Sequence, residues 1–299
     1  MSLYSIGIDL GGTRIKAVVI DRQGTVLHQV YALTQDGNDR IWKENIAKVI
    51  RELSNHLDLQ DAPVGISAPG IPNKTNTAIA CMPGRMQGLE HFDWTSYLAR
   101  PCYVLNDAVS ALVAESTFGI ALGKKHVVML TLGTGVGGAI LINGQPYQGS
   151  DGKAGHLGHI AIKDEGPPDI TGLPGSLEDC IGNCTILQRT EGKYDSTEAL
   201  LKAYRNGDPF AQKVWLTSVR HLAIGLASII NALSPELIVI GGGITAAESD
   251  LFDPLRAYMN TYEWRPFGTS IDIKKAIFGD LAGAIGAASY ARQQKRLHQ

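Results

Sequence analysis

The fold is decided by the stretch Ser5-Ile-Gly-Ile-Asp-Leu-Gly-Gly-Thr13. The same pattern of apolar residues followed by glycines occurs again in Val127-Val-Met-Leu-Thr-Leu-Gly-Thr-Gly135. Each stretch is a short apolar strand that enters a glycine turn, and a second strand follows at residues 15–20 and 138–142. The two copies lie about 125 residues apart, a spacing that suits a duplicated domain. We therefore expect an α/β protein with two related domains.

The composition excludes several classes of protein. Glycine accounts for 34 of the 299 residues, about 11% against an average near 7%. The 27 basic and 29 acidic residues give a net charge of −2, which argues against nucleic acid or an anionic membrane surface as a partner. The longest apolar stretch, Leu222 to Leu233, is shorter than the ~20 residues of a membrane span. The N-terminal residues lack the pattern of a secretory signal, so we expect a cytoplasmic protein with reduced cysteines.

Between the repeats, the pattern of apolar residues predicts a helix over 39–57 and strands at 64–67 and 102–105. A further helix is predicted from about residue 108 to 118. In the second half, Asp208 and Pro209 form a good start for a long helix that ends near Leu233.

A strand at 237–240 follows in the second half, and the next helix is expected to begin near Ala246. The last helix, from Asp280, is rich in small residues, which suits close packing against another backbone.

The first glycine turn, residues 11–13, is a candidate phosphate site. Gly11, Gly12 and Thr13 follow Asp9 at the end of a strand, and the free N–H groups of such a turn can bind phosphate oxygens. An adjacent carboxylate can hold Mg²⁺, usually through water. The alternative is an ordinary hairpin turn with a capping aspartate.

The second glycine loop, residues 133–138, contains the G-x-G-x-x-G pattern of dinucleotide-binding proteins. That pattern requires a helix after the glycines, whereas residues 139–144 favour a strand and a hairpin turn. We therefore interpret the loop, with Gly133, Thr134, Gly135 and Gly137, as a second phosphate site; a glycine-packed sheet edge is the alternative.

A third glycine cluster, residues 241–243, follows a predicted buried strand. Backbone without side chains there permits close approach of adenine and its ribose. On its own, this cluster is more typical of a plain strand-to-helix turn.

These elements occur in an order that resembles the actin-like ATPase superfamily, and within it the ROK family of bacterial sugar kinases and regulators. Besides the three glycine clusters, the second of which extends here from Leu132 to Gly138, the resemblance rests on four shorter motifs: Pro69-Gly70, Asn106-Asp107-Ala108, Gly155-x-x-Gly-His159 and Gly172-x-x-Gly-x-x-Glu178. It covers almost the whole chain.

The resemblance implies two actin-like, ribonuclease H-like α/β domains with a cleft between them, over residues 1–115 and 116–299. The last helix, about 280–296, is expected to pack back on the first domain. The implied activity is ATP-dependent phosphorylation of a hexose or N-acetylhexosamine at its 6-position, with Mg²⁺ and in a homodimer.

The resemblance also assigns roles to residues. Asp107 is implied as the general base that takes the proton of the attacking sugar hydroxyl. Asn106, His159 and Glu178 are implied as sugar ligands, which suits hydroxyl groups that both donate and accept hydrogen bonds, and Gly70 is implied to lie in the sugar-side loop. Asp9 and the residues of the three glycine clusters are implied to bind ATP and its Mg²⁺: Gly11, Gly12, Thr13, Gly133, Thr134, Gly135, Gly137, Gly241, Gly242 and Gly243.

The chain departs from the family at its zinc site. The family binds zinc through the histidine of Gly-His and three cysteines, whereas this chain has Asp169, Thr171 and Ser176 at the cysteine positions. One histidine and one aspartate are too few for structural zinc, so we predict none. Cys180 and Cys184 lie close by, in a spacing more typical of helix packing.

A second departure concerns the sugar. The family has Gly-Glu-x-Gly-His, and this chain has His156 in place of that glutamate. We expect His156 to bind the sugar and to change which sugar is preferred. Arg85 is a further candidate in a sugar-side loop, with an ordinary surface arginine as the alternative.

Two other functions are compatible with parts of the pattern. A sugar-responsive regulator is one, although a DNA-binding domain is not evident before the first strand; a sugar-binding pseudokinase, suggested by His156, is the other. The presence of Asp9, Asp107 and both glycine loops favours an active kinase.

Overall fold

The computed structural model describes residues 3–37, 39–55, 57–82 and 84–297. The chain forms two compact units. The first consists of Met1–Lys124, Ile140–Ala154 and Ala276–Gln299, and the second of Lys125–Ala139 and Gly155–Lys275. The helix expected over residues 39–57 includes His56, which lies outside the described residues.

The first unit is built on a five-stranded sheet with the strand order β3-β2-β1-β4-β7. Its strands are β1 (Ser5–Leu10), β2 (Arg14–Ile20), β3 (Val26–Leu33), β4 (Val64–Ala68) and β7 (Cys102–Asn106). The first three are antiparallel neighbours, whereas β1, β4 and β7 run parallel. The carboxyl ends of the parallel strands therefore lie at one edge, where polar residues from distant parts of the chain meet.

Helices cover both faces of this sheet. They are α1 (Asp39–Ser54), α2 (Trp94–Leu98), α3 (Asp107–Phe118) and α9 (Ala282–Leu297), with a small hairpin of β5 (Ile71–Pro72) and β6 (Ile79–Cys81). On one face, Trp42 of α1 is fully buried against Ile8 and its neighbours. On the other, α9 lies directly on the strands, because a Cβ on Gly7 would be 1.9 Å from the carbonyl oxygen of Ala284.

The second sheet has the order β10-β9-β8-β11-β12. Its strands are β8 (Val127–Leu132), β9 (Val136–Ile142), β10 (Gln145–Pro146), β11 (Leu237–Gly241) and β12 (Asp272–Lys275). The order corresponds to that of the first sheet, strand by strand. The repeat in the sequence is thus a repeat of the sheet.

The helices of the second unit are α4 (Leu177–Ile181), α5 (Ile186–Arg189), α6 (Thr197–Arg205), α7 (Pro209–Leu233) and α8 (Ser249–Tyr262). Asp208 caps α7 as expected, since its Oδ1 accepts a hydrogen bond of 2.9 Å from the N–H of Ala211. Among the described residues, α7 alone is long and apolar enough to cross a membrane by length and composition, and half of its most apolar window is buried. Contacts with α4, α6 and α8 account for that burial.

Some bounds differ from expectation. A 3₁₀ turn, Gly243–Ala247, occupies the place where a helix was expected to begin, and α8 starts only at Ser249. The strand β9 begins at Val136 instead of Gly138. The last helix begins at Ala282 and not at Asp280, which lies in a 3₁₀ turn before α9 and pairs with Lys16.

Candidate active site

The predicted site residues fall into two groups, one in each unit. In the first unit, Asp9 is the penultimate residue of β1, and both of its carboxylate oxygens accept hydrogen bonds. Oδ1 accepts a hydrogen bond of 3.0 Å from the hydroxyl of buried Ser67 on the neighbouring strand β4. Oδ2 pairs with the ammonium group of Lys16 at 3.1 Å. The carboxylate is therefore held in one orientation, with 16% of the side chain exposed.

Lys16 is a charged residue that sequence reasoning missed. It lies directly opposite Asp9 in the β1–β2 register, and it also pairs with Oδ1 of Asp280 at 2.7 Å. Burial lowers the pKa of Lys16, but the bonds to Asp280 and Asp9 outweigh that effect and raise the pKa above its ordinary value. A permanent positive charge thus stands next to the first glycine turn.

The first glycine turn is held in place by Thr34, the residue that follows β3. The hydroxyl of fully buried Thr34 donates to the carbonyl oxygen of Gly11 at 2.6 Å, and its N–H donates to the carbonyl oxygen of Thr13 at 3.0 Å. Arg85 reaches this turn as well: its Nη2 lies 2.8 Å from where a Cβ on Gly12 would be. The exposed guanidinium of Arg85 therefore adds a second positive charge at the turn.

Asn106 and Asp107 lie where β7 ends and α3 begins. Asn106 is the N-cap: its Oδ1 accepts from the N–H of Ala108 at 3.0 Å, and its Nδ2 donates to the carbonyl oxygen of Gly70 at 3.1 Å. Asn106 therefore has a structural role as the cap of α3. Gly70 adopts a positive φ of 99°, and a Cβ there would meet the carbonyl oxygen of Cys81 at 2.6 Å.

Asp107 has the properties of a general base. Its Oδ1 accepts from the N–H of Ala108 at 2.8 Å, and the residue remains accessible to solvent. The protein around it disfavours the charged carboxylate and raises its pKa, and the charge of Asp9 contributes in the same direction. A carboxylate with a raised pKa binds a proton more readily than an ordinary aspartate.

In the second unit, the second glycine loop lies against α4. The N–H of Gly133 donates to the carbonyl oxygen of Gly135 at 2.9 Å, which closes the loop. Glu178 of α4 is 7% exposed, and its Oε2 accepts from the N–H of Val136 at 2.8 Å. The predicted sugar ligand therefore contacts the predicted phosphate loop directly.

His156 and His159 lie in the histidine turn, residues 155–159, which ends in a 3₁₀ turn at Leu157–His159. The carbonyl oxygen of His156 accepts from the N–H of His159 at 3.2 Å. Nδ1 of His159 lies 2.8 Å from Oδ2 of Asp169, whose side chain is fully buried. Because a carboxylate only accepts, Nδ1 carries the hydrogen in this pair, and in the neutral ring Nε2 is left as an acceptor.

Asp169 organises the segment around the positions where the family has cysteines. Its Oδ1 accepts from the N–H and the hydroxyl of Thr171 and from the N–H of Leu173, at 2.7–3.1 Å. Burial raises the pKa of Asp169, but the bonds from Thr171 and His159 outweigh it and lower the pKa to about 2. Ser176 caps α4 through its hydroxyl, which accepts from the N–H of Asp179 at 3.2 Å.

Within the described ranges, no group of three or more His, Cys, Asp or Glu side chains is arranged to hold a metal ion. Cys180 is buried and Cys184 exposed, and the protein around each thiol disfavours the charged thiolate and raises its pKa. The absence of zinc remains a prediction.

The third glycine cluster lies where β11 ends. Gly242 has a φ of 88°, and a Cβ there would lie 2.3 Å from the carbonyl oxygen of Leu132, at the end of β8. Gly243 has open space at the Cβ position. The cluster therefore packs beside the strand that leads into the second glycine loop.

A family profile described as ROK family matches residues 5–294. The chain belongs to the ROK family. It is 32% identical to a glucokinase of Thermotoga maritima over 98% of both chains, and 29% identical to an N-acetylgalactosamine kinase of a Shewanella species over 94% of both. The crystal structure of a ROK family glucokinase from Streptomyces griseus, solved with glucose and AMPPNP, superposes with a TM-score of 0.81 at 27% identity, over 97% of this chain and 99% of that one.

These comparisons confirm the family and the fold class expected from the sequence, and they place the chain among the carbohydrate kinases. Four residues of the site were missed by sequence reasoning: Lys16, Thr34, Ser67 and Asp169. Only Lys16 had a readable signal, since the short turn between β1 and β2 puts it opposite Asp9.

Proposed function

We propose that this carbohydrate kinase transfers the γ-phosphoryl group of ATP to a hexose or N-acetylhexosamine at the 6-hydroxyl, with Asp107 as the general base. The hydroxyl oxygen forms a bond to the γ-phosphorus, the bond to the bridging oxygen breaks and ADP leaves. The proton of the hydroxyl passes to the carboxylate of Asp107. Sugar phosphate and ADP are the products.

The observation that carries this proposal is the placement of Asp107. It is an accessible carboxylate at the end of a parallel strand, in the same unit as Asp9 and close enough for the charge of Asp9 to raise its pKa. Strand ends of this kind are where α/β proteins bind ligands. In phosphoryl transfer the protein mainly positions the groups and neutralises charge, which suits Lys16 and Arg85 beside the first glycine turn.

Magnesium fits the first glycine turn. Asp9 offers an oriented carboxylate next to backbone N–H groups. Among the described residues, each of its oxygens accepts one side-chain bond, from Ser67 or from Lys16, which leaves lone pairs for a metal-bound water. When bound, the ion neutralises charge that develops on the phosphate oxygens. Asp9 would hold the ion, while Lys16 keeps the carboxylate in place.

The decisive measurement is ADP release with Mg²⁺-ATP across a sugar panel: D-glucose, D-mannose, their N-acetyl-2-amino derivatives, N-acetyl-D-galactosamine and an acidic sugar. The relatives act on glucose and N-acetylgalactosamine by name. We expect Asp107→Asn to lower kcat by about 10²–10⁴-fold with little change in the KM for sugar, since a missing base acts on the chemical step. Because the surrounding protein and the charge of Asp9 raise the pKa of Asp107, the rate should fall on acidification at a higher pH than an ordinary aspartate would give.

Asp93→Asn is the matched control, because Asp93 also stands at a helix N-terminus of the first unit and asparagine can replace it as a cap. Its kcat should stay within about twofold of the wild type. Equal rates for Asp107→Asn and the wild type would refute the base assignment. Sugar binding without ADP release would support the pseudokinase alternative.

His156 is proposed to set the preference among sugars. It precedes the 3₁₀ turn that ends in His159, and imidazole can donate where a glutamate only accepts. We expect His156→Glu to change the ranking of the panel by about tenfold in kcat/KM for at least one pair of sugars. An unchanged ranking would contradict the assignment.

We also propose that the enzyme depends on Mg²⁺, forms a homodimer and is located in the cytoplasm. The first is tested by ADP release with and without EDTA, and the second by sedimentation velocity of the purified protein.

A further inference from the structure

The strongest unexplained feature of the second unit is the bond between Glu178 and the second glycine loop. Glu178 is more than nine-tenths buried, and its Oε2 accepts from the N–H of Val136 at 2.8 Å. Its other oxygen, Oε1, makes no hydrogen bond to any residue that the structure describes. One carboxylate oxygen thus holds the loop, and the other is left as an acceptor for a ligand.

The end of α4 is tied to the same loop through the backbone. The N–H of Asn183 donates to the carbonyl oxygen of Gly133 at 3.0 Å, and the N–H of Cys184 donates to that of Thr134 at 2.7 Å. The guanidinium of Arg189 in turn donates to the carbonyl oxygen of Gly182 at 2.8 Å. Helix and loop are therefore parts of one hydrogen-bonded body.

The carboxylate of Glu178 occupies the space beside Gly135 in the second glycine loop. A Cβ on Gly135 would lie 2.2 Å from Oε2 and 2.9 Å from Cδ of Glu178, whereas a Cβ on Gly133 would meet nothing within 4 Å. Neither glycine has a positive φ. A side chain at residue 135 would therefore displace the carboxylate of Glu178 from its present position, whereas a Cβ at residue 133 would not touch it.

The histidine turn contacts the same residue, Val136, at its carbonyl group. A Cβ on Gly158 would lie 1.9 Å from the carbonyl oxygen of Val136, so the backbone of the turn rests on this residue. Val136 is thus bonded through its N–H to Glu178 and touched at its carbonyl by the segment that carries His156 and His159. The two predicted sugar-binding segments of the second unit thus meet the loop at one residue.

We propose that Glu178 is a positioning residue that couples sugar binding to nucleotide binding through Val136. This rests on the proposed function, which assigns Glu178 to the sugar and the second glycine loop to the phosphates of ATP. A sugar hydroxyl on Oε1 fixes the carboxylate, the carboxylate fixes the N–H of Val136, and the loop is held in its phosphate-binding shape. Because coupling between sites is reciprocal, nucleotide also tightens the binding of sugar by the same factor.

The first test measures ADP binding by calorimetry, without sugar and with a saturating concentration of the panel sugar that the wild type phosphorylates best. We expect that sugar to tighten ADP binding by about 5-fold or more in the wild type. Glu178→Ala should weaken ADP binding about 3–10-fold without sugar and abolish the coupling. Glu178→Gln retains an oxygen that can accept from Val136, so its ADP binding without sugar should match the wild type while its KM for sugar rises.

Asp179→Asn is the matched control, since it neutralises the next carboxylate on α4, which makes no hydrogen bond to the second glycine loop. It should preserve both ADP affinity and coupling. If Glu178→Ala binds ADP and shows coupling as the wild type does, Glu178 is at most a sugar ligand and the proposal is wrong.

The second test compares two alanines in the same loop. Gly135→Ala should raise the KM for sugar by about 10-fold or more, because the new methyl group displaces Glu178. Gly133→Ala should leave that KM within about twofold, whatever it does to ATP. Equal KM values for sugar in the two variants would overturn the proposal. If Glu178→Ala does not fold, this pair of glycine variants still tests whether Glu178 acts as a positioning residue.

The two proposals fail in different ways. If the wild type releases no ADP with any sugar of the panel, the proposed function fails. ADP binding of Glu178→Ala and Glu178→Gln in the absence of sugar still decides whether Glu178 positions the loop. If the wild type is an active kinase and Glu178→Ala binds ADP as tightly as Glu178→Gln and the wild type do, the proposed function stands and only the coupling is refuted.

Discussion

The first glycine turn and the second glycine loop arise from the same repeated stretch of sequence, yet they are held by different means. At the first, Asp9 pairs with Lys16, and charge surrounds the turn. At the second, Thr131 occupies the position that corresponds to Asp9, and backbone bonds from Asn183 together with Glu178 hold the loop. Duplication has kept the shape of the backbone, while partners outside the repeat determine the chemistry of each copy.

The largest test of this comparison is a pair of substitutions at the corresponding positions. Asp9→Asn should lower kcat/KM for ATP by about 100-fold, because it removes the carboxylate that Lys16 pairs with and that is proposed to hold Mg²⁺. Thr131→Val should change it less than about twofold, since the hydroxyl of Thr131 makes no hydrogen bond to the described residues. Steady-state kinetics with varied ATP measures both. Similar losses of kcat/KM for ATP in the two variants would mean that the side chains at both positions contribute equally to ATP use, which would contradict the comparison.

A smaller effect is expected where hydrogen bonds hold the second unit. Asp169→Asn should lower the free energy of unfolding by about 1–2 kcal/mol at pH 7, because the buried carboxylate accepts bonds from Thr171 and His159 and its pKa falls to about 2. A carboxyl group with a lowered pKa in the folded protein stabilises it fully above the unfolded value near 4. That stabilisation is lost as the pH falls towards 2.

Urea unfolding of wild type and Asp169→Asn, at pH 7 and at pH 3, measures this effect. The difference between the two proteins should shrink on acidification. A difference that does not depend on pH would show that the charge of Asp169 does not stabilise the fold. The KM for sugar should rise more than that for ATP, since asparagine no longer selects the tautomer of His159.

The smallest effect concerns the glycines themselves. Gly12→Ala would bring a methyl group within 2.8 Å of the flexible end of exposed Arg85, and Gly133→Ala would meet nothing within 4 Å. Both variants should therefore unfold within about 0.5 kcal/mol of the wild type. Thermal denaturation checks this. A large loss in either would show that glycine serves the fold at that position and not only the ligand.

Much of the fold could be predicted from the sequence, because apolar strands and glycine turns are local signals. The strands around Asp9 and the capped start of α7 at Asp208 are confirmed by the structure. The short strand β12 was missed, since Asp272–Lys275 is only partly buried and lacks an apolar run. Its pairing with β11 comes from tertiary contact and not from propensity.

The site was less predictable than the fold. The sequence pointed to Asp9, Asp107 and Glu178, but not to the partners that orient them. Lys16 meets Asp280 across 264 positions of the chain, and no local pattern announces a contact of that separation. The same holds for the hydrogen bond between Glu178 and Val136, which lie 42 positions apart in the chain. Motifs identify reactive residues, whereas their orientation depends on packing.

The close packing of α9 has a consequence for biosynthesis. Its backbone lies against Gly7 and Gly65 of the first sheet, so the unit begun by the first strands is completed only by residues after Lys275. A ribosome makes the whole segment Gly155–Lys275 before α9 emerges. Until then one apolar face of the first sheet lacks its cover, and apolar surface that is exposed in this way favours aggregation. The unit begun first is thus finished last.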